Sequence, residues 1–475
     1  MKQRPADVRA LFLWYAVFTG RKPAQSRGGR RQEMPGNRAE FTKAMRRTHT
    51  IYMPDMLPYH GQLFRAAFRF AGYRLKIVPY AAAYPKEAYS TVSQDYCSPG
   101  IHIIGNALAL VKELDRKHGR GCPAGNDGGR GLRIAFLEPQ SGGICKAGNL
   151  YYALINSLRR AGYPEIPVIS LNPHAKEQHS GFRLGPRLLA AGFVSVLYSD
   201  LLMQLTLQLR PGEREKGSTD RLYRKWIRIL SGRISRGKNL FFRKKIYRQI
   251  IEDYRKIQQK NEPAGDAEAR VRVGITGEIY SKCAPSGNRD LEKVLREQNV
   301  EYRIGGFLNY LIYVVYTERK VRRNGGTIRL RYALFCHALQ KYMEHAQQEL
   351  CDEMRRAGFL CDSEFSRMER YAASVLSTDY NIGDGWLTAA EACDYIESGY
   401  RNVLLCHPFT CLVSHVGSRG IIKNLKKRYP EARITSIEYD IHGSKAMLDS
   451  RVMMALSPLS PGSWGKKSRR EKEDQ

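Results

Sequence analysis

Apolar and polar positions along the chain follow two periods, and their order predicts helices and strands in turn. "YHGQLFRAAFRFAGYRLKIVPY" repeats apolar residues at helical spacing, stops at Gly72 and passes into a β-run. "SPGIHIIGNALALVKELDRK" predicts a helix beginning at Ser98-Pro99, where the fixed φ of proline suits a first turn. After the glycine-rich loop "GRGCPAGNDGGRG", the run "LRIAFLEPQ" predicts a strand, "AGNLYYALINSLRRAGY" a helix and "PVISLN" a further strand. This βαβ rhythm implies a mostly parallel sheet with helices on both faces.

A long helical middle follows, in which "LLMQLTLQL" reads as a buried helix. The rhythm restarts with the strand "RVRVGITGEIY", the helix "RDLEKVLREQNV" and the strand "EYRIGGF". "LIYVVY" reads as a buried strand, and helices are expected over roughly 327–376. The closing unit is the strand "NVLLCHPFTC", the helix "SHVGSRGIIKNLKKRYP", the strand "RITSIEYD" and a last helix from Ser444. The expected fold class is α/β, with two doubly wound parallel-sheet lobes joined by a helical connector. The expected boundaries are a basic, low-structure leader over 1–48, a first lobe over 49–210, a basic helical connector over 211–270, a second lobe over 271–457 and a basic tail over 458–475. Ligands in such sheets bind where loops leave the carboxyl ends of strands.

At 475 residues the chain has room for two or three domains. No apolar run approaches the roughly 20 residues of a membrane span. "VRALFLWYAVFTGRK" has a short apolar stretch after basic residues but no A-x-A-like cleavage site, so a cytoplasmic home is expected. The net charge of +32 is concentrated in "MRRTHT", in "REKGSTDRLYRKWIRILSGRISRGKNLFFRKKIYRQ" and in "WGKKSRREKEDQ". The middle stretch alternates basic and apolar residues at helical spacing, which fits an amphipathic connector with a solvated basic face, or a surface for an acidic ligand or redox partner. No helix-turn-helix, zinc-finger or RNA-binding signature accompanies the charge, which argues against nucleic acid.

Ten cysteines occur without a C-x-x-C pair, in a chain too large to need disulfide staples. Most are expected to be small buried hydrophobes, among them Cys336, Cys351, Cys361 and Cys393 in helical-looking segments. Three occupy loops at strand ends or helix starts: Cys97 in "SQDYCSPG", Cys145 in "SGGICKAG" and Cys411 in "CHPFTCLVSH". Unpaired helix N–H groups favour thiolate there, so these three are expected to be more exposed and more acidic than core cysteines.

Four blocks in order resemble the 2-hydroxyacyl-CoA dehydratase family, and especially the related region of large CoA-substrate-specific enzyme activases. "YCSPGIHIIGNALALVKEL" is similar to the first cysteine segment of that family and "PQSGGICKAGNLYYALINSLRRAGYPEIPVISLN" to the second. "GITGEIYSKCAPSGNRDLEKVLREQNVE" is similar to the Gly-Glu-Ile-Tyr segment, with its asparagine at Asn288. "GDGWLTAAEACDYIESGYRNVLLCHPFTCLVSHVGSRGIIKNLKKRYPEARITSIEYD" resembles the third cysteine segment. The blocks run from about 51 to 457. Two departures are Ser98 in the usual Cys-Tyr-Pro and Lys146 where an arginine follows the second cysteine.

The resemblance implies a 4Fe-4S cluster at the lobe interface, held by Cys97, Cys145 and Cys411 with its fourth position open. It also implies an ATP-dependent activator as electron donor, an acyl-CoA or similar anionic substrate, and a second dehydratase-like subunit as a candidate partner. No G-x-x-x-x-G-K-[ST] loop is present, so ATP would be bound by another protein. Glu278 is the candidate for orienting a proton, against an ordinary hydrogen-bonded turn residue. Cys283 and Cys406 are read as structural thiols or alternative ligands. His407 and His415 would donate to cluster sulfurs, or else serve as a loop and a capping histidine. Ser141, Gly142 and Gly143 would let the backbone approach the cluster. Two functional readings remain, a catalytic iron-sulfur component and a non-catalytic electron-transfer accessory; a metal-free nucleic-acid-associated protein is a third.

Overall fold

The computed structural model describes residues 38–456 except 80–85, 94–95, 119–122, 125–128, 131, 140–144, 172–178, 239–242, 262–270 and 326–329. Two four-stranded, all-parallel sheets organise the chain. The first contains β1 (Thr50–Met53), β2 (Leu75–Ile77), β3 (Ile134–Glu138) and β4 (Val168–Ser170) in the order β2-β1-β3-β4. The second contains β5 (Arg272–Gly277), β6 (Glu301–Ile304), β7 (Asn402–Pro408) and β8 (Arg433–Tyr439) in the order β8-β7-β5-β6. Counted within each lobe, both sheets run second-first-third-fourth. The chain therefore winds outward in both directions from a switch point between the first and third strands, as the βαβ rhythm required.

Both sheets are covered on both faces. In β3, Ile134 and Phe136 join a core with α2 (Ser98–His118) and α3 (Leu150–Arg160), whereas Ala135 and Leu137 face α1 (Gly61–Phe70) and α4 (Pro186–Leu209). The period of two divides each strand between two cores, and a strand buried on both sides reads as a continuous apolar run. In the second sheet, β5 and β7 send Ile275, Leu404 and Cys406 toward α8 (Leu291–Glu297) and α14 (Lys445–Leu456). Val403 and Leu405 face α12 (Leu387–Glu397) and α13 (Ile422–Arg428) on the other side.

The helices between the lobes are not a tether. With α5 (Ser218–Ile234), α6 (Lys244–Asn261), α9 (Phe307–Asn324), α10 (Leu330–Arg356) and α11 (Phe365–Ala373), α4 contributes to one large core that also takes in α1. Leu201, Leu202 and Leu205 are wholly buried there, each worth about 1.5–3 kcal/mol of transfer free energy. Asp200 of α4 fastens the lobes: its carboxylate accepts from His60 Nε2 at 2.8 Å and from the Phe307 and Leu308 amides at 2.9 Å each. It thus holds α1 and the otherwise unpaired amides at the start of α9 together.

Several expectations change. "LIYVVY" lies inside α9, where Ile312, Tyr313 and Tyr316 are buried and Val314 is exposed, a helical spacing rather than a strand alternation. The strand β1 was not expected, and α4 is long and apolar enough by length and composition to cross a membrane. Of its most apolar stretch, 83% is buried inside the protein. The helix expected after Cys411 is broken into a short turn at Leu412–Ser414, a wide turn over His415–Arg419 and α13. Cys361 is outside any helix and forms a disulfide with Cys351, contrary to the reading of both as free thiols. Residues 1–37 of the leader, the tail from 457, and Ser141, Gly142 and Gly143 lie outside the described residues.

Candidate functional site

The carboxyl ends of the strands nearest both switch points carry the site. β1 runs into Asp55, β3 into the segment that reaches Cys145, β5 into Glu278 and β7 into Cys411. Cys97 stands at the start of α2, where its carbonyl accepts from the Ile101 amide at 3.1 Å. Tyr96 ties the first two cysteine loops together by donating from its hydroxyl to the Lys146 carbonyl at 2.9 Å. Cys411 caps the turn that follows it: its sulfur accepts from the Ser414 amide at 3.4 Å and lies 3.2 Å from the Ser414 hydroxyl. Tyr380 holds that turn from outside, donating to the Val413 carbonyl at 2.8 Å.

These three cysteines come within electrostatic reach of one another and of Glu278. Cys97 feels the charges of Cys145, Glu278 and Cys411, and Cys411 feels those of Glu278 and Cys145. The expectation that they are exposed and acidic is corrected. Cys97 and Cys411 are 7% and 8% exposed, and burial pushes their thiols up to about 12 and about 11. Burial also raises Cys145, which keeps part of its surface open. Backbone N–H donors at Gly100, Ala147 and Ser414 oppose the rise without cancelling it.

Glu278 caps α7 (Ile279–Cys283), accepting from the Tyr280 and Ser281 amides at 3.0 and 2.8 Å. Burial nonetheless raises its carboxyl. Beside it stands Asp384, which sequence reasoning missed; burial, then the neighbouring Glu278 charge, push its carboxyl up to about 8. Both residues keep part of their surface accessible. Tyr310 feels the charges of Asp384, Glu278 and Cys145. The sign of Asp384 in the sequence is the Gly-Asp-Gly turn: Gly383 and Gly385 have φ of +58° and +42°.

Behind α7, Lys282 Nζ lies 2.8 Å from both Glu391 oxygens, and Thr276 donates to the same carboxylate at 2.5 Å. Burial works against the Lys282 charge, but Glu391 outweighs it and the ammonium is held firmly protonated. Asn288 accepts from the Leu291 amide at 3.2 Å, which ties it to the start of α8. Cys406 is wholly buried in the sheet against Tyr439, 3.8 Å away, and reads as structural. Cys283 borders a cleft of about 820 Å³ lined also by Lys282, Lys216, Arg224 and Lys293. A small recess shares Lys282 and Cys283 with that cleft and reaches Ile279 and Tyr310. His407 and His415 are paired edge to face, ring centroids 5.6 Å apart; burial brings His407 down to about 4.

The chain matches no family model and no curated protein.

Proposed function

We propose that the chain is an iron-sulfur protein of the 2-hydroxyacyl-CoA dehydratase type, with Cys97, Cys145 and Cys411 holding a 4Fe-4S cluster between the lobes. The observation that supports this reading is that three thiols from three separate loops lie within electrostatic reach of one another, on segments at the carboxyl side of the two sheets. None of the three is spent in a disulfide. A buried thiol stays neutral when free, and bound iron supplies the positive charge that makes it a thiolate. The donor set therefore fits the cluster, and the exposed part of Cys145 fits access to a position that no thiol fills.

When bound, such a cluster supplies a low-potential electron for radical dehydration or reduction of an acyl-CoA-like substrate, replenished by an ATP-dependent activator. The chain's own groups do the rest. Glu278 and Asp384, both shifted toward the protonated form, present carboxyl protons beside the thiols. Glu278 is held by two amides and α7 by the Lys282–Glu391 pair, so the proton-bearing carboxyl keeps its place. The phenols of Tyr96, Tyr280 and Tyr310 crowd the same space and limit water.

Anaerobic purification of the wild type and of Cys145→Ala, with iron and acid-labile sulfide assays and EPR after dithionite reduction, tests the proposal. About four irons per chain in the wild type, lost in the variant, are expected. Wild type without iron after anaerobic reconstitution sinks it. Iron with no turnover of any acyl-CoA in the presence of an activator favours the non-catalytic relay.

A further inference from the structure

We propose that His407, His415 and Glu438 form a mononuclear site for a divalent first-row transition ion such as Zn²⁺, distinct from the cysteine set. His407 on β7 and Glu438 on β8 are register partners in the parallel ladder, so their side chains share one face of the second sheet. His415 reaches the same face from the wide turn after Cys411. One donor atom from each residue lies within 4.8 Å of the others, and His415 Nε2 is already 3.0 Å from Glu438 Oε1.

The state of His407 points to a ligand independently. The residue is 0% exposed; its Nε2 lies 2.6 Å from the Ser436 hydroxyl, while its Nδ1 is buried without a hydrogen-bond partner. Buried polar atoms are almost always satisfied. A metal-ligating histidine donates one ring N–H to an oxygen and turns its other nitrogen to the ion, and the Ser436 hydroxyl can serve as that oxygen.

The donor chemistry selects the ion. Two imidazoles and one carboxylate suit Zn²⁺, Co²⁺ or Ni²⁺ and leave a fourth position for water, whereas Mg²⁺ and Ca²⁺ demand oxygen ligands. Arg419 lies 3.6 Å from the same Glu438 oxygen, but its side chain is 50% exposed and free to turn outward. Occupancy would pin the turn at 409–419 to β7 and β8, and so fix the segment that carries Cys411. The proposal does not depend on the cysteines binding iron.

The test uses the full chain in a Cys145→Ala background, so that the thiol set competes less, with Zn²⁺ or Co²⁺ alone as the probe. Competition against a chromophoric chelator is expected to give one tight Zn²⁺ per chain. Glu438→Gln and His415→Gln, both at partly exposed positions, should each weaken binding more than about tenfold. Circular dichroism must be unchanged in both variants. The Co²⁺ form should show ligand-field bands without a thiolate charge-transfer band. Absence of Zn²⁺ binding, affinity unchanged in both variants, or a strong thiolate band would each overturn the site.

Discussion

The two lobes share a strand order and place their chemistry at equivalent points, yet they furnish it differently. In each, a buried residue at or near the end of the third strand is followed by proline and later by a cysteine: Glu138-Pro139 before Cys145, His407-Pro408 before Cys411. In each, the first strand delivers an acid, Asp55 after β1 and Glu278 after β5. The second lobe gives Glu278 two amide donors and pairs Lys282 and Thr276 with Glu391 behind it. The first leaves Glu138 1% exposed with neither oxygen hydrogen-bonded, and burial holds it well above the usual carboxylate range. Equivalent topology fixes where side chains arrive; the surrounding polar groups decide which of them carry charge.

The strongest way to break the equivalence is to remove the matched cysteines one at a time. If Cys145 and Cys411 serve one cluster, Cys145→Ala and Cys411→Ala should each lower iron from about four to below about one per chain. Cys406→Ala, in the sheet core, should keep its iron. Retention of full iron in either matched variant would show that the two positions are not equivalent in use.

A second experiment asks whether the lobes are separable at all. Asp200→Ala removes the acceptor shared by His60 and the first amides of α9, leaving buried donors unsatisfied. A loss of about 3–4 kcal/mol is expected in chemical denaturation, with one transition for the whole chain. Two resolved transitions in the wild type would mean that each lobe folds alone. Among the described residues, the disulfide lies in the second half of the chain. Closing the 10-residue separation between Cys351 and Cys361 should contribute about 2–3 kcal/mol, read as the stability lost when Cys361→Ser is compared with the oxidised wild type.

Legibility in the sequence followed the same division. The strands after the first, and the positions of Cys97, Cys145 and Cys411, were readable because period and punctuation mark where a strand stops and a helix begins. The four residues of β1 are too few to show a period. The six apolar residues of "LIYVVY" fit a strand or a helix until packing chooses. Asp384 depends on two glycines at positive φ that fold it back toward Glu278, a contact across 106 positions that no local pattern encodes. The Cys351–Cys361 pair arises because Gly358, at φ +83°, ends α10 and reverses the chain.

The smallest expected effect separates the acids of the second lobe from mere packing. In the fold Asp384 holds its proton up to about pH 8, whereas in the unfolded chain it ionises near pH 4. Between those values the native state binds more protons than the unfolded state, so stability falls as pH rises through that window and levels off above it. Asp384→Asn removes the ionisation. The iron-free variant should match the wild type near pH 4 and become progressively the more stable of the two as pH rises toward 8. Urea titrations at each pH measure the difference. A gap that stays constant from pH 4 to 9 would assign Asp384 a packing role.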